Sequence, residues 1–513
     1  MDEHHENEEV NRGLKLIIKS SIVVLIGLTL SKLFTYVYKV ILARYFGPEI
    51  YGMFSLAIMI LGWFTVIAAF GLARGVLRFV SLYRGKKEIA KIKNILRFSL
   101  IFLSFSTVFA AIMMYVSADF IAVKIFHAPE LIIFLKVFSL FIPFYVFSRV
   151  FASIIRAYEK IGWYSFVSNI LINFAKVFAL ILFVLMGFKT NAIIWSYAAG
   201  IMSVFIVAYL ICRYKVPEIF GPYIINQKIK KEEIKKFFSY SWPIMFFSLM
   251  TSIFYEIDSF IIGYFMDVSS VGFYNVAITI VGVMGIAPEL FMQLFFPLIT
   301  KEFSNRNFIV IRELTKQVSK WIFIIILPIF LLLILFPEAI VNLLFGPGYI
   351  IAQEPLRIIA VGGLIAALVI PITTNIISMA GKSKLLLLNL ILASLFNLIL
   401  GLLLIPKYGL IGAALSTSFV NVMMSIGLIT QTYSLTKAFP FRRKMLRIFS
   451  VSLIPIFILF YLKEIVPINN LSLILIGILF LLIYLILIFA TGCLDKNDFL
   501  ILRSIKKKIF KHK

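Results

Sequence analysis

The stretch YKVILARYFGPEIYGMFSLAI (38–58) returns, altered, as IDSFIIGYFMDVSSVGFYNVAI (257–278). Tyr45 and Phe46 align with Tyr264 and Phe265, Gly52 with Gly272, and Ala57 with Ala277, with one residue inserted between the first pair and the rest. A weaker echo relates the residues after Arg156 to those after Ser378, at a similar offset of about 220. A chain that repeats itself at this interval is built from two related halves, a pattern common among membrane transporters.

Both copies sit among long apolar runs. Hydrophobic residues make up 62% of the 513, Phe alone contributes 53, and the mean hydropathy is +1.03, values that exclude a soluble globular protein. Runs of about 20 apolar residues recur along the chain, each long enough to cross roughly 30 Å of hydrocarbon as a helix. The fold class expected is therefore an all-α integral membrane protein of about 14 transmembrane helices. Six spans separate the repeats; six is even, so the halves share an orientation and a pseudo-two-fold axis along the membrane normal is expected. The parts read as a cytoplasmic tail (1–15), an N-terminal six-helix bundle (16–212), a linker with a short amphipathic helix (213–237), a C-terminal six-helix bundle (238–435), two additional helices (436–492) and a basic tail (493–513).

The net charge of +26 is explained by where it lies. One alternating set of loops, with both termini, carries 37 Lys and Arg; the other carries six. By the positive-inside rule both termini are cytoplasmic, in a multi-pass protein of the cell membrane. The surplus, as in RGKKEIAKIKNILR and SIKKKIFKHK, reads as a topology signal and a contact for anionic membrane lipids, with no role for nucleic acid. The acidic start MDEHHENEEV lacks a following small-residue cleavage site, so the first span is read as retained.

Little in this chain points to catalysis. The external loops are short, no GxxxxGK[ST] phosphate loop occurs, and the four histidines (His4, His5, His127 and His512) lie in tails or a loop. No Cys/His cluster has metal-ligand spacing, and Cys212 and Cys493 give no disulfide framework. The expectation is a protein that is not an enzyme and needs no metal or cofactor.

Charges within the apolar spans are the candidate functional groups, because a Lys or Arg at the centre of a membrane helix costs about 2.5 to 3.5 kcal/mol on insertion scales. Lys32, Lys39, Arg74, Arg78, Lys136, Arg149 and Lys176 fall in or at the edges of spans, all in the first half. Lys32, Tyr36 and Lys39 share one helical face, and Ser165, Asn169, Asn173 and Lys176 repeat the pattern at steps of 4, 4 and 3. No Asp or Glu lies in the first six spans, whereas the seventh holds Glu256 and Asp258, and Asp258 aligns with Lys39 in the repeat. Arginines near span ends can instead snorkel to headgroups, and buried carboxylates can be structural. A cationic cavity without acids of its own calls for an anion, and a phosphate or diphosphate on a lipid fits. Lysine suits such a site as a point charge that releases what it holds.

GPEIYGMFSLAI (47–58), GFYNVAITI (272–280), GKSKLLLLNL (381–390) and LIPKYGLIGAALSTSF (404–419) together give the chain, over about residues 15 to 490, a resemblance to the polysaccharide-exporter branch of the multidrug/oligosaccharidyl-lipid/polysaccharide (MOP) superfamily, which includes Wzx-type flippases. The resemblance implies two bundles around a cavity and alternating access, moving a lipid-linked oligosaccharide headgroup across the membrane while its polyprenyl tail stays in lipid. It also implies that intramembrane cations hold the lipid phosphate. By position within the corresponding spans, Lys32, Lys39, Arg149 and Lys176 are the candidates, and Arg74 and Arg78 would meet the phosphate with Arg149 as it enters from the cytoplasmic side. Tyr36, Asn169 and Asn173 would line the polar path, and Asp258 and Glu256 would couple H⁺ or Na⁺. A monomer is expected. A MurJ-like lipid II flippase and a MATE-type multidrug antiporter are the alternatives; MATE exporters commonly place an acid in the first bundle, which this chain lacks.

Overall fold

The computed structural model describes residues 2–220, 231–465 and 470–494. Positions 221–230 of the linker and the basic tail from 495 onward lie outside the described residues, as do the side chains of the N-terminal tail through residue 23.

Every regular element among the described residues is helical. In chain order these are α1 (Asp2–Ala69), α2 (Leu72–Gly85), α3 (Ile89–Asp119), α4 (Leu131–Leu140), α5 (Ile142–Ala157), α6 (Ile161–Ser165), α7 (Ile172–Leu185), α8 (Asn191–Lys215) and α9 (Lys231–Phe265). They continue with α10 (Val268–Val281), α11 (Ile286–Ser304), α12 (Phe308–Leu335), α13 (Pro337–Phe345), α14 (Gln353–Met379), α15 (Ser383–Thr436), α16 (Arg443–Ile465) and α17 (Asn470–Ala490). With α6–α7 and α10–α11 each taken as continuous through the short turn between them, eleven helical stretches among the described residues are long and apolar enough to span a membrane, or twelve if α4 and α5, bent by 46°, form one span.

The expectation of 14 spans divides α1 and α15 in two, and each of these helices has one break in its backbone. α1 breaks at Gly47 (φ 83°, ψ 175°) and α15 at Gly409 (φ 56°, ψ −133°). Pro48 follows Gly47: proline disfavours helical backbone in the residue before it, and glycine alone takes a positive φ without steric cost. No atom lies within 4 Å of a Cβ built on Gly47, so its conformation and not crowding accounts for glycine there.

The chain divides into two units. The first comprises the residues up to Thr279 with Leu387–Ser416; the second comprises Ile280–Leu386 with the described residues from Thr417 on. In the first, the two repeat copies meet backbone to backbone. A Cβ on Gly52 would collide with the Val268 carbonyl, and one on Gly272 with the Pro48 carbonyl. The glycines that align in sequence are thus the ones that let the copies touch. Nearby, Phe54, Phe138 and Tyr197 form an aromatic cluster, with Tyr197 centred 5.0 Å from Phe138 and 5.8 Å from Phe54. This fixes the Tyr197 ring, one face of which the site uses.

In the second unit α12 packs against α11 and α14, and α17 is tied to α12 by the Tyr484 hydroxyl donating to the Ile324 carbonyl at 2.9 Å. Lys320, at the start of the apolar part of α12, is fully buried. Both cysteines are buried and free.

Candidate functional site

In the first unit, two adjoining chambers of about 460 and 310 Å³ share Tyr145, Arg149, Ala152 and Ser168 as common wall. Both volumes lie within the ordinary range of ligand sites. The α5 contribution follows from helical spacing: Tyr145, Arg149, Ala152 and Arg156 are separated by 4, 3 and 4 residues and occupy one face. Arg149 stands at the junction, its Nη2 donating to the Tyr145 hydroxyl at 2.8 Å and its guanidinium 5.2 Å from that ring's centre. Arg156 sits 5.1 Å from the Tyr164 ring, and Arg74 of α2 completes the cationic lining of the larger chamber.

The smaller chamber is walled by α1, α5, α7 and α8. Lys176 places its Nζ 4.1 Å from the centre of the Tyr197 ring, a cation–π contact that orients the ammonium without neutralising it. Gly200 makes this possible, since a Cβ there would press against the Lys176 stem. Asn173 donates to Ser31 Oγ at 2.9 Å and Asn169 to Ser165 Oγ at 3.3 Å. A π-helical turn over Phe166–Leu171 adds a residue to the local winding and brings Ser168 to the chamber beside Asn169. The two linings include Arg74, Arg149, Arg156 and Lys176, and among the described residues they include no Asp or Glu.

Five of the residues singled out in the sequence therefore come together: Arg74, Arg149, Lys176, Asn169 and Asn173. The others are placed elsewhere. Lys39 donates to Thr279 Oγ1 at 3.0 Å, and Tyr51 shares that hydroxyl at 3.3 Å. Lys32 and Tyr36 are half-buried on α1 outside both linings, although Ser31, next to Lys32, lines the smaller chamber. Arg78 turns to a separate recess and stacks 4.2 Å over the Tyr240 ring. Lys136 is ion-paired to Asp119 at 2.8 Å.

Sequence reasoning missed Arg156, Tyr145, Tyr164, Ser168 and Tyr197. Arg156 ends its apolar run, where sequence alone does not separate a helix terminus from a loop. The step of seven residues from Arg149 was the available signal, since it puts both on one face.

The two acids of α9 differ. Asp258 is 3% exposed; Asn397 Nδ2 donates to its Oδ2 at 3.2 Å and the Ser416 hydroxyl to its Oδ1 at 3.5 Å. Asn397 Oδ1 is buried beside it with no hydrogen-bond donor among the described residues. Glu256 accepts from Ser252 Oγ at 2.9 Å, and Ser252 lines the larger chamber.

The sequence profile of the polysaccharide biosynthesis protein family matches residues 17–303, more than half of the chain, and the MatE profile matches 243–403. Over 472 residues the chain is 24% identical to an uncharacterized membrane protein of Methanocaldococcus jannaschii, covering 90% of this chain and 92% of that one. It is also 24% identical over 430 residues to a Shigella flexneri protein named as an O-antigen transporter, covering 82% and 98%. A Haloferax volcanii protein named as a low-salt glycan biosynthesis flippase is 26% identical over 305 residues, covering 57% and 60%. Among solved structures, the lipid II flippase MurJ in an inward closed conformation superposes with a TM-score of 0.68 at 20% identity, covering 90% of this chain and 98% of that one. An inward-facing MATE family transporter of the MOP superfamily gives 0.61 at 15% identity, covering 81% and 99%. These two likenesses concern the fold. With the profile match, the helical membrane fold and the motifs at Gly47–Pro48 and Pro406–Gly409 in agreement, the chain belongs to the polysaccharide biosynthesis protein family.

Proposed function

We propose that this protein is a flippase that carries a lipid-linked oligosaccharide, on a polyprenyl phosphate or diphosphate, from the cytoplasmic to the outer leaflet by alternating access, for cell-surface glycan synthesis. The observation that carries the proposal is the pair of chambers with four cations and, among the described residues, no acid in the linings. Four positive groups outnumber the carboxylate behind this lining, Glu256 on Ser252, and an anion offsets the surplus. At 4 Å and an effective dielectric of 20, one such cation attracts a unit negative charge by about 4 kcal/mol.

In this mechanism the lipid phosphate passes Arg74 and Arg156 and settles between Arg149 and Lys176. The amides of Asn169 and Asn173 and the hydroxyl of Ser168 bond sugar hydroxyls, and the Tyr145, Tyr164 and Tyr197 rings give sugars an apolar face. Lys32 and Lys39 on α1 receive the phosphate as the bundles rock, Lys39 exchanging Thr279 for it. Asp258, with the free carbonyl oxygen of Asn397 and the Ser416 hydroxyl, offers an oxygen-rich pocket for a coupling Na⁺ or proton, and Glu256 is the second candidate. The orientation rests on the loop charges, which put both termini in the cytoplasm. The transporter works as a monomer.

The test is flipping of a fluorescent polyprenyl-diphosphate oligosaccharide in proteoliposomes, comparing wild type with Arg149→Gln/Lys176→Gln and including lipid II as a competitor. Loss of flipping in the variant, with an unchanged melting temperature, is expected. Wild-type rates in the variant would refute the site, and transport of organic cations without glycolipid flipping would favour an antiporter.

A further inference from the structure

α9 leaves the apolar layer at its N-terminal end: Lys231, Lys235 and Lys236 fall in its first two turns, and no Lys or Arg follows to Phe265. Against these turns lies α2, in direct contact. A Cβ on Gly71 would strike the Ser241 carbonyl, and one on Gly75 would strike Ser241 Oγ with the Phe237 ring behind it. This seam separates two spaces. Arg74 faces the larger chamber, while Arg78, one turn away or about 6 Å along the axis, faces a recess of about 630 Å³ on the other side.

That recess is lined by Arg78, Lys235 and Lys236, with the Phe79 and Tyr240 rings and Ser239; among the described residues Glu232 is the one acid of its lining. The Arg78 guanidinium is held 4.2 Å over the Tyr240 ring and 5.9 Å from the Phe79 ring. Stacking fixes the plane of the guanidinium and leaves its N–H edge available, the edge that forks onto phosphate oxygens. Among the described residues Lys235 and Lys236 carry no ion pair, in contrast to nearby Lys91, which bonds Glu88 at 3.0 Å and reaches Glu233 at 3.8 Å. The recess thus holds a net surplus of positive charge at the lysine-bearing end of α9, where its apolar run begins.

We infer that this recess is a second phosphate site, separate from the central chambers, which binds the phosphate headgroup of a membrane lipid between Arg78, Lys235 and Lys236. Calling the central chambers a glycolipid site rests on the proposed function; the outer site does not need it. If the lipid held is the polyprenyl carrier, the recess is where its phosphate waits, one helical turn of α2 from Arg74. If it is an anionic phospholipid, the recess anchors the seam between α2 and α9.

The experiment is native mass spectrometry of the delipidated full-length protein titrated with polyprenyl phosphate, phosphatidylglycerol or phosphatidylcholine. It is done in the Arg149→Gln/Lys176→Gln background to empty the central chambers, with and without Lys235→Gln/Lys236→Gln. The inference expects one adduct with an acidic phosphate lipid that weakens about tenfold, or about 1.4 kcal/mol, when the two lysines are neutralised, while phosphatidylcholine binds weakly to both. Retention of polyprenyl phosphate alone assigns carrier capture; equal retention of phosphatidylglycerol assigns an anionic-lipid anchor. Adduct affinity unchanged within twofold by the lysine substitutions, or equal binding of phosphatidylcholine, would overturn the site. Wild-type flipping in the Arg149→Gln/Lys176→Gln protein would refute the central site and leave this result standing.

Discussion

Replacing Arg149 is the perturbation that asks most of the site, because this side chain belongs to both chambers. Arg149→Gln keeps much of the stem and a donor for Tyr145 while removing the charge. The gross attraction to a phosphate charge at 4 Å is about 4 kcal/mol at an effective dielectric of 20. Removing Arg149 also relieves its repulsion with Lys176 and Arg156, and water entering the chamber screens what remains, so about half should register. A loss near 2 kcal/mol is about a 30-fold weaker dissociation constant. Titration of the detergent-solubilised protein with a labelled polyprenyl diphosphate, at two salt concentrations, reads it directly. The substituted protein should show the weaker binding and a shallower salt dependence, since fewer charges meet the ligand. Arg149→Lys should recover part of the affinity but lose the hydrogen-bonding fork. A change below threefold, or Lys and Gln variants that behave alike, would refute the claim that Arg149 holds a phosphate.

Three further outcomes test the surroundings. Gly200→Val should push the Lys176 stem from its place and weaken glycolipid binding without touching any charge, and Gly200→Ala should do so less, in the same titration. Gly52→Ala puts a methyl group against the Val268 carbonyl; overpacking of this kind costs about 1–3 kcal/mol, so a lower melting temperature in detergent is expected, and an unchanged one would show that α1 and α10 separate easily. Asp258→Ala leaves the Asn397 amide without its buried acceptor, at about 1–3 kcal/mol, whereas Asp258→Asn should fold but lose any dependence of flipping on a Na⁺ or proton gradient; full gradient dependence in the Asn variant would remove Asp258 from coupling.

The chain alone settled that this is a helical membrane protein with an internal repeat, because span length, hydropathy and the Gly52–Gly272 match are one-dimensional properties. It also suggested span cations in the first half alone, yet Lys320 on α12 in the second half is fully buried. Which cations share a space was not available from the sequence, since that depends on how each helix is rotated about its axis and on what stands opposite. Lys39 looks equivalent to Lys176 in sequence, yet Thr279, some 240 residues away, takes its ammonium. Arg74 and Arg78 are one turn apart on α2, yet the seam with α9 sends them to different spaces. Arg156 reads as a loop residue until α5 carries it back beside Tyr164. Side-chain direction and helix phase are set by packing against distant partners, so the identity of the spans belonged to the sequence and the membership of the site to the tertiary structure.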